Sequence, residues 1–243
     1  MKITVINPNT TQSMTEKIGA AARAAAGPGT TIVAVSPAMG PASIEGHYDE
    51  AVSVLGVLDE VRRGEVEGCD GYVIACFGDP GLLAAREAAR GPVLGIAEAG
   101  MHAASLIAGG FSIVTTLART VGIARRLVEA YGMAYQCRGI RATDLAVLEL
   151  ERPGSAAYAA ILDECRCAVR DDRAEAIILG CAGMADLVAR LTAELGVPVI
   201  DGVAAAVKFV EALGALGLST SKVGELAPPL PKAYRGLVEG FAP

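Results

Sequence analysis

The chain has no tryptophan, only two histidines, and aromatic residues at just 4% of its positions. Its apolar content is instead Ala, Val, Leu and Ile, the palette of strands buried on both faces under close-packed helices. The two histidines, His47 and His102, stand far apart and no Cys-x-x-Cys occurs, so the spacing excludes the usual zinc arrangements. A formal net charge of −6, with no cluster of Lys or Arg, argues against a nucleic-acid surface. The apolar stretch from Gly202 to Leu218 is broken by Lys208 and Glu211, well short of the ~20 residues that span a bilayer. Met1 leads straight into a strand-like run without a charged leader segment, so the expectation is a soluble, cytoplasmic protein with no membrane partner. Signatures for flavin, nicotinamide or pyridoxal phosphate are missing, so neither cofactor nor metal is expected.

What is present is a chain of 243 residues, 52% hydrophobic and 20% charged, enough for a substantial core in one compact body or two lobes. Short β-branched runs alternate with longer amphipathic ones. Strands are expected near Lys2–Asn7, Thr31–Ser36, Gly71–Cys76, Val93–Ile96, Phe111–Thr116, Ala176–Cys181 and Val197–Ile200, with a weaker one near Ala134–Ile140. Helices are expected over Thr11–Ala26, Tyr48–Arg63, Gly81–Arg90, Glu98–Ala108, Thr120–Tyr131, Ser155–Arg170, Met184–Leu195 and Gly202–Leu216. Such alternation marks an α/β protein with parallel sheets.

The two halves of the chain resemble each other. Pro92 follows Cys76 by 16 residues, Pro198 follows Cys181 by 17, and each cysteine closes an apolar run that leads into a helical pattern. Ile3–Asn7 opens the first half as Ser112–Thr116 opens the second. An internal duplication predicts two similar lobes related by a pseudo-two-fold axis, each a parallel four-stranded sheet flanked by helices. We expect residues 1–97 plus 202–243 in one lobe and 98–201 in the other. Ligands of parallel sheets bind outside the carboxyl ends of strands, which places the site in the cleft between the lobes.

Cys76 and Cys181 both end strands and both precede a glycine-containing turn, Phe77-Gly78 and Ala182-Gly183. A thiol beside a helix start has its thiolate favoured by the free N–H groups, and Asp79-Pro80 reads as such a start, with Asp79 as N-cap. Two equivalent thiols facing one cleft suit proton removal from one side of a carbon and delivery from the other. The carbanion formed between them needs backbone donors rather than an electron sink if an adjacent ring carbonyl already acidifies the carbon. Asn7 and Asn9 end the first strand, and Thr115 and Thr116 hold the corresponding place in the second half, where they can hydrogen-bond a ring. Glu45 and His47 occupy a Gly-flanked loop, and Glu98 and His102 read as a local pair one helical turn apart. Cys69, Cys137, Cys165 and Cys167 read as packing residues.

At these residues the chain resembles the hydantoin racemase branch of the aspartate/glutamate racemase superfamily. The likeness is carried by Ile6-Asn7-Pro8-Asn9-Thr10-Thr11, by Gly40 to Gly46, by Ile74-Ala75-Cys76-Phe77-Gly78-Asp79-Pro80-Gly81-Leu82, by Gly95 to Ala99, and by Leu179-Gly180-Cys181-Ala182-Gly183-Met184. The resemblance implies a two-lobed fold, no cofactor, a small-molecule substrate, a homo-oligomer, and a two-thiol mechanism with Cys76 and Cys181 as the bases. Amino-acid racemases of the wider superfamily carry Cys-Asn-Thr or Cys-Asn-Ser at each thiol. Here Phe77-Gly78 and Ala182-Gly183 follow instead, which points away from a free amino acid and toward an uncharged ring such as a 5-monosubstituted hydantoin. Allantoin, itself a hydantoin, is the nearest alternative. A related cysteine-dependent isomerase or decarboxylase, a non-catalytic binding module and a redox dithiol are the others.

Overall fold

The computed structural model describes residues 1–151 and 156–243. Among these described residues the strands are β1 (Lys2–Ile6), β2 (Thr31–Val35), β3 (Gly71–Ile74), β4 (Val93–Gly95), β5 (Phe111–Thr115), β6 (Cys137–Ala142), β7 (Ala176–Leu179) and β8 (Val199–Ile200). Between and after them lie α1 (Gln12–Ala25), α2 (His47–Val66), α3 (Leu82–Ala88), α4 (Ile96–Ile107), α5 (Val121–Ala130), α6 (Ala157–Asp171), α7 (Val188–Leu195) and α8 (Gly202–Ala215). The element types agree with the sequence reading, while several ends move. β3 and β7 stop two residues before their cysteines, and the α7 helix is preceded by a 3-10 helix over Ala182–Leu187. Ser155, expected to start α6, lies outside the described residues.

Two parallel sheets form, ordered β2-β1-β3-β4 and β6-β5-β7-β8, so each strand of the first has a counterpart four places later in the second. The duplication inferred from the cysteine motifs is therefore a duplication of topology. In both sheets the chain reverses its winding direction between the two central strands, which is where α/β sheets open a ligand crevice. β3 (Gly-Tyr-Val-Ile) and β7 (Ala-Ile-Ile-Leu) are buried along their whole length, as continuous apolar strands require.

Each sheet is covered on both faces. α1 and α8 pack on Ile3, Val5 and Val73 from one side, and α2 and α3 pack on Ile6, Tyr72 and Ile74 from the other. On the second sheet α4 and α5 cover Phe111, Ile113 and Ile178, and α6 and α7 cover Val114, Ile177 and Leu179. α8 follows the last strand of the second sheet yet contributes Val203, Ala206, Val207 and Val210, at helical spacing, to the core of the first. Asp201 begins it by accepting the Val203 and Ala204 amides at 2.9 and 3.0 Å. α4 faces both cores, Ile96 and Ala99 toward the first and Ala97, Met101 and Ala104 toward the second. Its close contact with α8 needs Gly202, where a Cβ would stand 2.3 Å from the Ile96 carbonyl oxygen. No helix among the described residues is long and apolar enough to cross a membrane.

Candidate active site

The carboxyl ends of the central strands of both sheets open onto one cleft of about 620 Å³, its mouth included. Cys76 enters from the first sheet and Cys181 from the second, both partly buried. Their placement is equivalent down to the backbone. The Ala75 amide donates to Ile6 O and the Gly180 amide to Val114 O, each at 2.8 Å, so both cysteines leave their sheets one residue later. The carbonyl of Cys76 then accepts the Asp79 amide at 3.0 Å, and that of Cys181 accepts the Met184 amide at 3.1 Å.

The turn after Cys76 differs from the sequence expectation. Asp79 does not cap its own helix: it takes the left-handed conformation at φ 44°, and Gly81, also left-handed, precedes α3. Its side chain reaches instead to the start of α4, where Oδ1 accepts the Ala97 amide at 3.0 Å and Oδ2 the Glu98 amide at 2.9 Å. Gly95 makes room, since a Cβ there would fall 2.1 Å from the Asp79 carboxyl carbon. Burial pushes the Asp79 carboxyl up to about 7, against the hydrogen bonds that hold it down.

Cys76 likewise reverses an expectation. Its thiol is not favoured as thiolate: burial pushes it up to about 12, and the negative groups Cys181, Asp79 and Glu50 add to the shift. The Gly78 amide, donating toward the sulfur, opposes this without cancelling it. Desolvation in a largely apolar cleft outweighs one backbone dipole.

Of the residues expected to contact a ligand, Asn9, Phe77, Gly78, Thr115, Thr116 and Ala182 line the cleft with the two cysteines. Asn7 and Gly183 stand behind it. The Asn7 amide donates to Asn9 Oδ1 and to Thr15 Oγ1, both at 2.9 Å, and so fixes the turn that presents Asn9. The Gly183 carbonyl accepts from Lys17 Nζ at 2.9 Å, joining α1 to the turn after Cys181. Thr115 Oγ1 contacts the Gly180 carbonyl and Thr120 Oγ1, each at 3.2 Å, whereas the Thr116 hydroxyl has no protein partner among the described residues. Glu45 stays outside the cleft but accepts the Val147 amide at 3.0 Å, and Val147 forms part of the wall. His47 is mostly exposed, and Glu98 pairs with Arg86 at 2.5 Å rather than with His102.

Met14, Ile44, Glu50, Ile123 and Val147 also line the cleft and were not singled out from the sequence. Met14 and Ile123 sit in the ordinary amphipathic patterns of α1 and α5, Ile44 lies in a loop, and Val147 starts a 3-10 helix. Glu50 is a first-turn acid of α2, as many helices have, so nothing local marks either kind.

Paired, doubly wound parallel sheets that bring two equivalent strand-end thiols to one cleft define the class: a duplicated α/β enzyme of the racemase type. The chain belongs to the Asp/Glu/hydantoin racemase family, whose model matches residues 3–210. A hydantoin racemase of Pseudomonas sp. (strain NS671) is 52% identical over 241 residues, covering 99% of this chain and 97% of its own. The structure of an allantoin racemase from Klebsiella pneumoniae is 57% identical, covers 100% of this chain and 99% of its own, and superposes with a TM-score of 0.98. That of allantoin racemase from Pseudomonas fluorescens is 41% identical, with 97% and 100% coverage and a TM-score of 0.91.

Proposed function

We propose that the protein is a cofactor-independent racemase of 5-monosubstituted hydantoins, with Cys76 and Cys181 as the two bases. The observation that carries this reading is the placement of two thiols, equivalent in two copies of one topology, on a single cleft. One cysteine, as thiolate, takes the C5 proton, and the electron pair passes to the C4 carbonyl oxygen as an enolate. The other cysteine, as thiol, returns a proton to the opposite face of C5, and the roles exchange for the other enantiomer. A thiolate at Cys181 pushes the Cys76 thiol further up, which suits one thiolate facing one thiol. In this reading Asn9 and the Thr116 hydroxyl, which line the cleft, bind ring carbonyl and N–H groups. No Lys, Arg or His lines the described cleft, which suits a neutral ring better than an amino-acid carboxylate.

Allantoin is the second reading, favoured by kinship to two solved allantoin racemases; its ring is the same and its 5-substituent is a ureido group. The reading also takes residues 1–97 with 202–243, and 98–201, as the two lobes, and the protein as a cytoplasmic homo-oligomer.

The test is circular dichroism of single-enantiomer 5-benzylhydantoin in D2O with EDTA, run beside allantoin. Decay of the signal with deuterium at C5 is expected, and the relative rates rank the two substrates. An undiminished signal on both compounds, with thiols verified as reduced, overturns the racemase reading.

A further inference from the structure

Glu50 is the one side chain ordinarily charged at neutral pH among the described residues of the cleft wall. It projects from the first turn of α2 and its side chain is 23% exposed, so it is neither a buried ion nor a freely solvated one. Oε1 lies 3.3 Å from where a Cβ on Gly78 would stand, which presses the carboxylate against the turn that follows Cys76. Oε2 makes one long contact, 3.4 Å to His47 Nδ1, and Oε1 has no hydrogen-bond partner among the described residues. On the exposed side of this pair Arg126 Nη2 approaches the two ring nitrogens of His47 at 3.2 and 3.3 Å. The rest of the described lining is uncharged and mostly apolar, with Ile44, Phe77, Ile123 and Val147 among its members. A carboxylate flanked by such surface acts more strongly on a ligand than it would in water.

We propose that Glu50 sets the charge selectivity of the cleft, accepting a hydrogen bond from C5 substituents that end in an N–H donor and repelling those that end in a carboxylate. The inference rests on the hydantoin racemase reading and names the substituent class within it. Repulsion of the wrong substituent is as effective a source of specificity as attraction of the right one. Amide, ureido and cationic substituents belong to the favoured class, and neutral alkyl or aryl groups rely on the apolar wall.

The experiment compares kcat/KM for racemisation of two enantiopure substrates of matched size, 5-(2-carbamoylethyl)hydantoin and 5-(2-carboxyethyl)hydantoin, with 5-benzylhydantoin as a reference. For the wild-type protein the amide is expected to exceed the acid tenfold or more, about 1.4 kcal/mol. In Glu50→Gln the ratio is expected to fall to within about threefold. Because a ratio is read, a general loss of activity in the variant does not mimic the effect, and Glu50→Ser supplies the same comparison if the glutamine variant does not fold. A wild-type ratio near one, or a ratio that persists without the carboxylate, overturns the inference while leaving the racemase reading intact. Failure of the wild-type protein to racemise all three compounds overturns that reading instead, and the inference with it.

Discussion

Tyr131, at the end of α5, donates its phenolic hydrogen to Oδ2 of Asp79 across 2.8 Å, although 52 positions separate them. The same carboxyl receives the first amides of α4, so one side chain ties the turn after Cys76 to two helices that cover the second sheet. The position of that cysteine thus depends on contacts made from the other half of the molecule.

Replacing Asp79 by Asn keeps the shape but brings N–H groups to where Glu98 and Tyr131 already donate, at an expected cost of about 1–3 kcal/mol. The cost should depend on pH. With its carboxyl raised to about 7, the folded protein keeps a proton that the unfolded chain releases above about 3.9. Stability from Asp79 is therefore fully present below the unfolded value and lost as pH rises through the folded one. Urea denaturation at pH 5 and pH 8 should show a smaller gap between wild type and Asp79→Asn at pH 8. A gap unchanged between the two pH values would mean that the carboxyl stays ionised in the fold.

The raised Cys76 thiol gives a signature in the unliganded protein. Below about 12 the thiolate fraction, and with it the rate of alkylation by iodoacetamide, rises about tenfold per pH unit. Peptide mass spectrometry over pH 7 to 10 should find no plateau for Cys76. A plateau near pH 8 would show a thiol activated before substrate arrives.

Cys76→Ser and Cys181→Ser should each lower racemisation by about a hundredfold to ten-thousandfold, the contribution typical of one general acid or base. Each variant should still exchange the C5 proton of one enantiomer with solvent, and the two should differ in which. Deuterium incorporation by mass spectrometry on separated enantiomers reads this directly. Wild-type racemisation in either variant would remove that thiol from the mechanism.

Gly180 is held by space rather than by its torsion angles, since a Cβ would stand 2.7 Å from that of Thr115. Gly180→Ala must part β5 from the end of β7, beside Cys181, at an expected cost of about 1–3 kcal/mol. A lower urea midpoint with a reduced kcat is the expected result. Unchanged stability would show that the strand ends can yield.

The alternation of strands and helices, the duplication and the two cysteines were all legible in the chain, because each is a local or repeated pattern. Strand periodicity needs only neighbours along the chain, and two copies of one topology leave the same spacing from Cys76 to Pro92 as, within one residue, from Cys181 to Pro198. Asn9, Phe77, Thr115 and Thr116 could be named for the same reason: they flank strand ends, and strand ends meet the cleft.

Asp79 defeats a local reading because Asp-Pro before a helical pattern satisfies a local rule, while the amides it caps belong to a helix 18 and 19 residues further on. Glu50 and Val147 reach the cleft by the same kind of distant closure, the latter through a bond to Glu45 spanning 102 positions. The state of the thiols was also beyond local reading. A glycine-rich turn says that an amide can reach the sulfur of Cys76, but the balance between that dipole and desolvation is set by everything packed around it. The sequence by itself determined which groups end the strands; the tertiary structure decided how dry they are, what charge they face and which of them share a wall, because burial and Coulomb interactions depend on distance in space rather than along the chain.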